Sequence, residues 1–173
     1  MKPFRITSTA LFAGFLVCLL PSCAGRMDRD TLVAGNTTSS FRTGAAVTAN
    51  VNGGNPASAV LANVSNEDFK YALETSLVKS GMFRSVGSGG YQIEALITSI
   101  DQPLAGISMT VKMEVSYAVR KGGAVTWRKN INSSYTAPAT AAFVGAERLR
   151  KATEGAAREN INLLIRELEQ SRP

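Results

Sequence analysis

Thirteen consecutive residues, Ser108–Arg120, alternate without a break. Met109, Val111, Met113, Val115, Tyr117 and Val119 fall on one side, and Ser108, Thr110, Lys112, Glu114, Ser116 and Arg120 on the other. A period of two over that length is incompatible with an amphipathic helix, whose apolar residues recur every three to four positions. It predicts a half-buried strand about 40 Å long at ~3.3 Å per residue. Such a strand needs paired neighbours and an apolar layer over its Met/Val/Tyr face, so the rest of the chain must supply both.

The neighbours are legible on either side. Tyr91–Ile100 places Tyr91, Ile93, Ala95 and Ile97 on one face and Gln92, Glu94 and Thr98 on the other, with Leu96 and Ile100 making the second face less polar. After Gly122-Gly123, the residues Val125, Trp127, Ile131 and Tyr135 run against Thr126, Arg128, Asn130 and Asn132. A two-residue Gly-Gly turn would set Val119 opposite Thr126 and mix the faces. Pairing Val119 with Trp127 keeps the apolar sets together and calls for a three-residue loop, Gly122-Gly123-Ala124. Pro138 ends that strand, and Ala46–Val51 is a further strand candidate, broken by Gly53-Gly54-Asn55-Pro56. Met109, Met113 and Trp127 read as core residues.

The covering layer is two amphipathic helices. Ser65 with an acid three residues on has the form of a capping box. Phe69, Ala72, Leu73, Ser76 and Leu77 then make one stripe, and Gly81 follows as the C′ residue. The second helix, roughly Ala142–Gln170, carries the stripe Leu149, Ala152, Ala156, Asn160, Leu163, Leu164 and Leu168, with Glu147/Lys151 and Glu154/Arg158 as i,i+4 pairs. Gly155 weakens its middle but lets it sit close to the sheet. The order β-α-β-β-β-α predicts an α+β two-layer sandwich: a mostly antiparallel four-stranded sheet with two helices on one face. The small stripe residues Ala72, Ser76, Ala152 and Ala156 leave room for a cavity between helices and sheet.

Ahead of this domain lies a segment of another kind. Lys2 and Arg5 precede the unbroken apolar run Ala10–Leu20, which at 11 residues is too short to span a bilayer and fits the h-region of a signal peptide. Leu20-Pro21-Ser22-Cys23-Ala24-Gly25 then resembles the lipobox of bacterial lipoproteins, with Pro21 where a small residue is more usual. The resemblance implies that residues 1–22 are removed and that Cys23 is lipidated and becomes the mature amino terminus. Several acyl chains at about 0.8 kcal/mol per buried CH₂ anchor stably without a transmembrane helix. Because Ala24 rather than aspartate follows the cysteine, the same resemblance implies the outer membrane, facing the periplasm. Residues 23–45 have a linker composition and no periodicity, which predicts a flexible tether before a single domain at 46–173.

The full chain of 173 residues has no histidine, two cysteines and a net charge of +6. Without histidine there is no Ser-His-Asp or Cys-His catalysis and no His-ligated metal. Loss of Lys2 and Arg5 with the signal leaves +4, which does not call for a nucleic-acid partner. No catalytic residue, cofactor or metal is expected. Asp28 and Asp30 lack a third ligand for a cation. Glu94 and Glu114 could imitate a glycosidase pair, but pairing with Lys112 or Arg128 across strands explains them better. The one charged group that stands out is Arg120, Lys121, Arg128 and Lys129 beside Trp127 and Tyr117, which reads first as a solvated hairpin tip whose lysines discourage edge pairing and second as a candidate contact for an anionic lipid, lipopolysaccharide or an acidic envelope protein.

The lipobox, tether and β-α-β-β-β-α domain together resemble small Gram-negative outer-membrane lipoproteins, similar in architecture to lipopolysaccharide-assembly and ABC-transport auxiliary lipoproteins. The segments Phe69–Phe83, Tyr91–Ile100, Met109–Arg120 and Leu149–Leu168 carry it. It implies a non-enzymatic, lipid-anchored accessory or interaction module in envelope assembly or lipid transport. The alternative is a periplasm-facing carrier of lipid or lipopolysaccharide.

Overall fold

A computed structural model describes residues 27–35, 37–53 and 62–173. The signal sequence and Cys23 lie outside the described residues. The elements are β1 (Ala46–Asn52), α1 (Asn66–Lys79), β2 (Ser85–Val86), β3 (Tyr91–Asp101), β4 (Met109–Lys121), β5 (Ala124–Ala137) and α2 (Gly145–Ser171). They form one sheet in the order β2-β1-β3-β4-β5. β1 runs parallel to β2 and β3, while β3, β4 and β5 make the antiparallel meander. The sheet therefore has five strands rather than four. The extra one, β2, is only two residues long and lies too close to the Gly87–Gly90 turn for alternation to reveal it.

The inner faces are the predicted ones. Met109, Val111, Met113, Val115, Tyr117 and Val119 are all buried, as are Tyr91, Ile93, Ala95 and Ile97. The pairing slips between Ile97 and Ser99, so Thr98 is an extra residue in β3. That bulge reverses the alternation and turns Ile100 into the core, where it is fully buried, while Leu96 stays on the outer face half-exposed. Ile100 is thus a core residue and not part of the outer face.

Both helices cover the inner face, with α1 against β1 and α2 against β4 and β5. Ser65 caps α1, its hydroxyl accepting from the Asp68 N–H at 3.0 Å. Gly81 sits at φ 80°, the left-handed conformation expected just past the helix end. The whole α1 stripe is buried. On α2, Leu163 is only partly buried, whereas Ile161 and Ile165 reach the core. A methyl at Gly155 would overlap the Tyr135 ring, so the glycine is what lets β5 approach the helix. Glu147 lies 3.9 Å from Lys151 as expected, but Glu154 pairs with Arg150. Arg158 instead donates to the Thr31 carbonyl at 2.9 Å.

That last contact belongs to the largest departure from the sequence reading. Residues 27–35 and 37–45 are packed onto the domain and are not a free tether. A 3-10 turn, Arg29–Leu32, lies against both helices. Leu32 is fully buried and Val33 and Ala34 nearly so. The Ala34 N–H donates to the Ser76 hydroxyl at 2.8 Å, using the one polar member of the α1 stripe. The Ser39 and Thr43 N–H groups bond the carbonyls of Ser80 and Met82. This segment therefore packs against the two helices, and the small stripe residues Ala72, Ser76, Ala152 and Ala156 are themselves fully buried. Asp28 and Asp30 are likewise structural: Asp28 caps the 3-10 turn through the Asp30 N–H, and Asp30 accepts from the Tyr71 hydroxyl. Among the described residues Met27 is the first to join the core, and a chain starting at Ala24 retains every one of them.

Candidate functional site

The hairpin between β4 and β5 satisfies both rules that conflicted in the sequence. Gly122 and Gly123 form a two-residue turn with φ of 56° and 83°, the positive pair that a type I′ turn requires. Lys121 pairs with Ala124 and Arg120 with Val125; then the register shifts and Val119 meets Trp127. The expected pairing is present, but the loop has two residues, and a bulge at Thr126 absorbs the odd one. Trp127 is partly buried against the core.

The four hairpin cations do not converge. Arg120 and Arg128 lie on the outer face of the sheet, since Arg128 stands opposite Ala118, between buried Tyr117 and Val119. Arg120 Nε donates to Glu94 at 2.7 Å. Lys129 stands opposite Tyr117 on the helix side and its Nζ bonds Glu167 of α2 at 2.6 Å. Lys121 covers the Tyr91 ring, 4.8 Å from its centre. These exposed pairs contribute under about 1 kcal/mol each, and they occupy three of the four candidate contacts. Glu94 therefore finds Arg120 rather than Lys112 or Arg128, and Glu114 takes Asn130 at 3.4 Å. Glu94 faces Ala118, four residues beyond Glu114 on β4, so the two backbones are offset by ~13 Å along the strand, and each carboxylate is engaged by its own neighbour, Arg120 or Asn130. Among the described residues no three His, Cys, Asp or Glu side chains group as metal ligands.

One buried polar cluster does form. The Tyr117 hydroxyl donates to Asn160 Oδ1 at 2.8 Å; Asn160 Nδ2 reaches the Ile131 carbonyl at 2.9 Å and the Ser133 hydroxyl at 3.1 Å. Ser133 in turn donates to the Ala156 carbonyl at 2.8 Å. Burial pushes the tyrosine pKa far up, so the hydroxyl stays a donor. With every member satisfied, the cluster registers α2 on β4 and β5.

Two surfaces stand open among the described residues. The outer face of the sheet is polar: Thr110, Ser134, Thr136, Asn130 and Asn132 are exposed on neighbouring strands, with β5 unpaired along its far edge. The second surface is the end of the molecule opposite the hairpin. There the β3–β4 loop and the connection into α2 expose Leu104, Ile107, Phe143 and Val144, at 83%, 82%, 103% and 62%. Arg148 Nη1 holds the carbonyls of Ala142 and Phe143 at 2.6 and 3.0 Å, and Lys151 Nζ holds that of Ala141 at 2.7 Å. A pocket of about 380 Å³ opens between the β3–β4 loop and the first turn of α2. The sequence reading passed over this end, although two cues were present: Leu104 and Ile107 sit in a turn segment between strands, and Phe143-Val144 directly precedes a helix.

No family model matches the sequence, and no curated protein matches it. Among solved structures, the crystal structure of protein XCC0632 from Xanthomonas campestris, of family model DUF330, is similar at a TM-score of 0.62 and 10% identity, over 81% of this chain and 91% of that one. What the two chains share is the fold. A putative lipoprotein from Caulobacter crescentus follows at a TM-score of 0.49 and 12% identity, over 82% and 92% of the two chains. A minor lipoprotein from Acinetobacter baumannii stands at 0.47 and 11%, over 76% and 95%.

Proposed function

We propose that the protein is a lipid-anchored envelope lipoprotein, held through Cys23 at the outer membrane and facing the periplasm, whose domain acts as a non-enzymatic accessory or interaction module in envelope assembly or lipid transport. The anchor rests on the h-region Ala10–Leu20 and the lipobox ending at Cys23. The observation that carries the interaction role is the one-sided sheet. Among the described residues both long helices lie on the inner face, while a broad polar face stays open on the other. Flat, hydrogen-bond-rich sheet surfaces of this kind suit a protein partner. The polar clusters inside the domain are accounted for by packing, which leaves the surface to carry function. The alternative is a carrier with its ligand between helices and sheet; Ala72, Ser76, Ala152 and Ala156, the small residues that would leave room for one, are fully buried, which favours the interaction module.

No helix among the described residues is long and apolar enough to cross a membrane, so membrane attachment in this reading depends on Cys23. Labelling cells with palmitate tests it: the wild-type chain is labelled and sediments with membranes, and Cys23→Ser is unlabelled and released. Equal labelling of the two would remove the anchor from the account.

A further inference from the structure

We infer that the end of the domain opposite the hairpin is a binding site for a single acyl chain bearing an anionic headgroup. Three observations converge there. The pocket of about 380 Å³ is at the small end of ligand sites, enough for one chain rather than a patch of bilayer. Its walls are apolar, with Pro103, Leu104, Met109 and Leu149 among them, and its one charged lining residue is Arg148. The Arg148 Nε is buried and has no hydrogen-bond partner, while Nη1 is committed to two backbone carbonyls. A buried guanidinium N–H without an acceptor is unfavourable until an anion reaches it, and the planar fork suits a carboxylate or phosphate.

The cation and the apolar wall also meet at one place. Arg148 Nη2 and the Met109 Cε methyl lie 3.8 and 3.7 Å from the point where a Cβ on Gly145 would stand. A ligand threading past Gly145 therefore contacts both, with its head at Arg148 and its chain along Met109 and Leu149. Around the mouth, Leu104, Ile107, Phe143 and Val144 stay largely exposed, yet Arg148 and Lys151 fix the backbone at Phe143 and just before it. An alkyl chain leaving the pocket would cover them. With no acid in the lining, the charge complementarity favours an anionic amphiphile over a neutral or cationic one.

The lining residues lie at 103–149, so the chain from Ala24, which keeps every described residue, is used to test it. The probe is monomeric dodecanoate displacing a bound dansyl-undecanoate, read by fluorescence. Saturable displacement is expected, with dodecanol and dodecyltrimethylammonium each at least tenfold weaker. Ala146→Trp, at an exposed lining position, should weaken dodecanoate at least tenfold with an unchanged Tm. Lys129→Ala, at the hairpin, should leave it unchanged. No displacement, equal binding of the cationic analogue, or indifference to Ala146→Trp would each overturn the assignment. So would sedimentation with phosphatidylglycerol vesicles in the absence of any dodecanoate binding, which would make this end a membrane-inserting tip instead.

Discussion

The inner and outer faces of the sheet are built from the same strands and have opposite fates. On β4 every inner residue from Met109 to Val119 is buried, while Thr110, Lys112 and their successors stay accessible. Alternation alone creates the two faces. What separates them is that, among the described residues, the chain places α1 and α2 over one and leaves the other open. The inner face thus holds the free energy of the fold, and the outer face can change with little effect on it.

The sharpest contrast is between Leu164→Ala and Asn132→Ala. The first removes a fully buried side chain and should cost about 2–5 kcal/mol in urea unfolding. The second lies on the outer face and should stay within about 0.5 kcal/mol. Next, Asn160→Ala leaves the Tyr117 hydroxyl buried without its acceptor, at a cost of about 1–3 kcal/mol. Strong non-additivity with Tyr117→Phe in a double-mutant cycle would mark the cluster as one unit; simple additivity would break that description.

Gly155→Ala sets two effects against each other. Helix propensity favours alanine by about 1 kcal/mol, but overlap with the Tyr135 ring costs about 1–3 kcal/mol. Net destabilisation is expected in the wild-type background and net stabilisation in Tyr135→Ala. The smallest effect lies at the surface. The Ser40 hydroxyl and N–H both donate to Glu169 and, with Arg172, hold its pKa below the ordinary carboxylate value. This contact supports the fold above the ordinary carboxylate pKa and is lost as pH falls through the lowered one. Ser40→Ala should therefore move the Glu169 titration upward, as NMR of its side chain would read.

Long periodic elements were legible because burial of one face imposes the period: β3, β4, both helix stripes and the Val119–Trp127 pairing all follow from it. What escaped was local. The bulges at Thr98 and Thr126 each insert one residue, which reverses the phase without leaving a mark in composition. The segment at residues 27–45 reads as a linker because a short 3-10 turn has too few residues to show a period, although Leu32 and Val33 are its apolar anchors. The basic hairpin drew attention by its charge, yet Glu94, Glu167 and Tyr91, distant in sequence, take up three of its four cations. The candidate pocket was hidden for the converse reason: its lining joins the β3–β4 loop and Met109 to the first turn of α2, some forty residues on, and no local pattern links the two.

The central claim, that the open face is the working surface of an anchored interaction module, is tested most directly by photocrosslinking in cells. A photoreactive side chain at Asn132 on the outer face is compared with one at Lys70, exposed on α1. The account predicts a discrete adduct with an envelope protein from position 132 and none from position 70. Adducts from position 70 alone would contradict it.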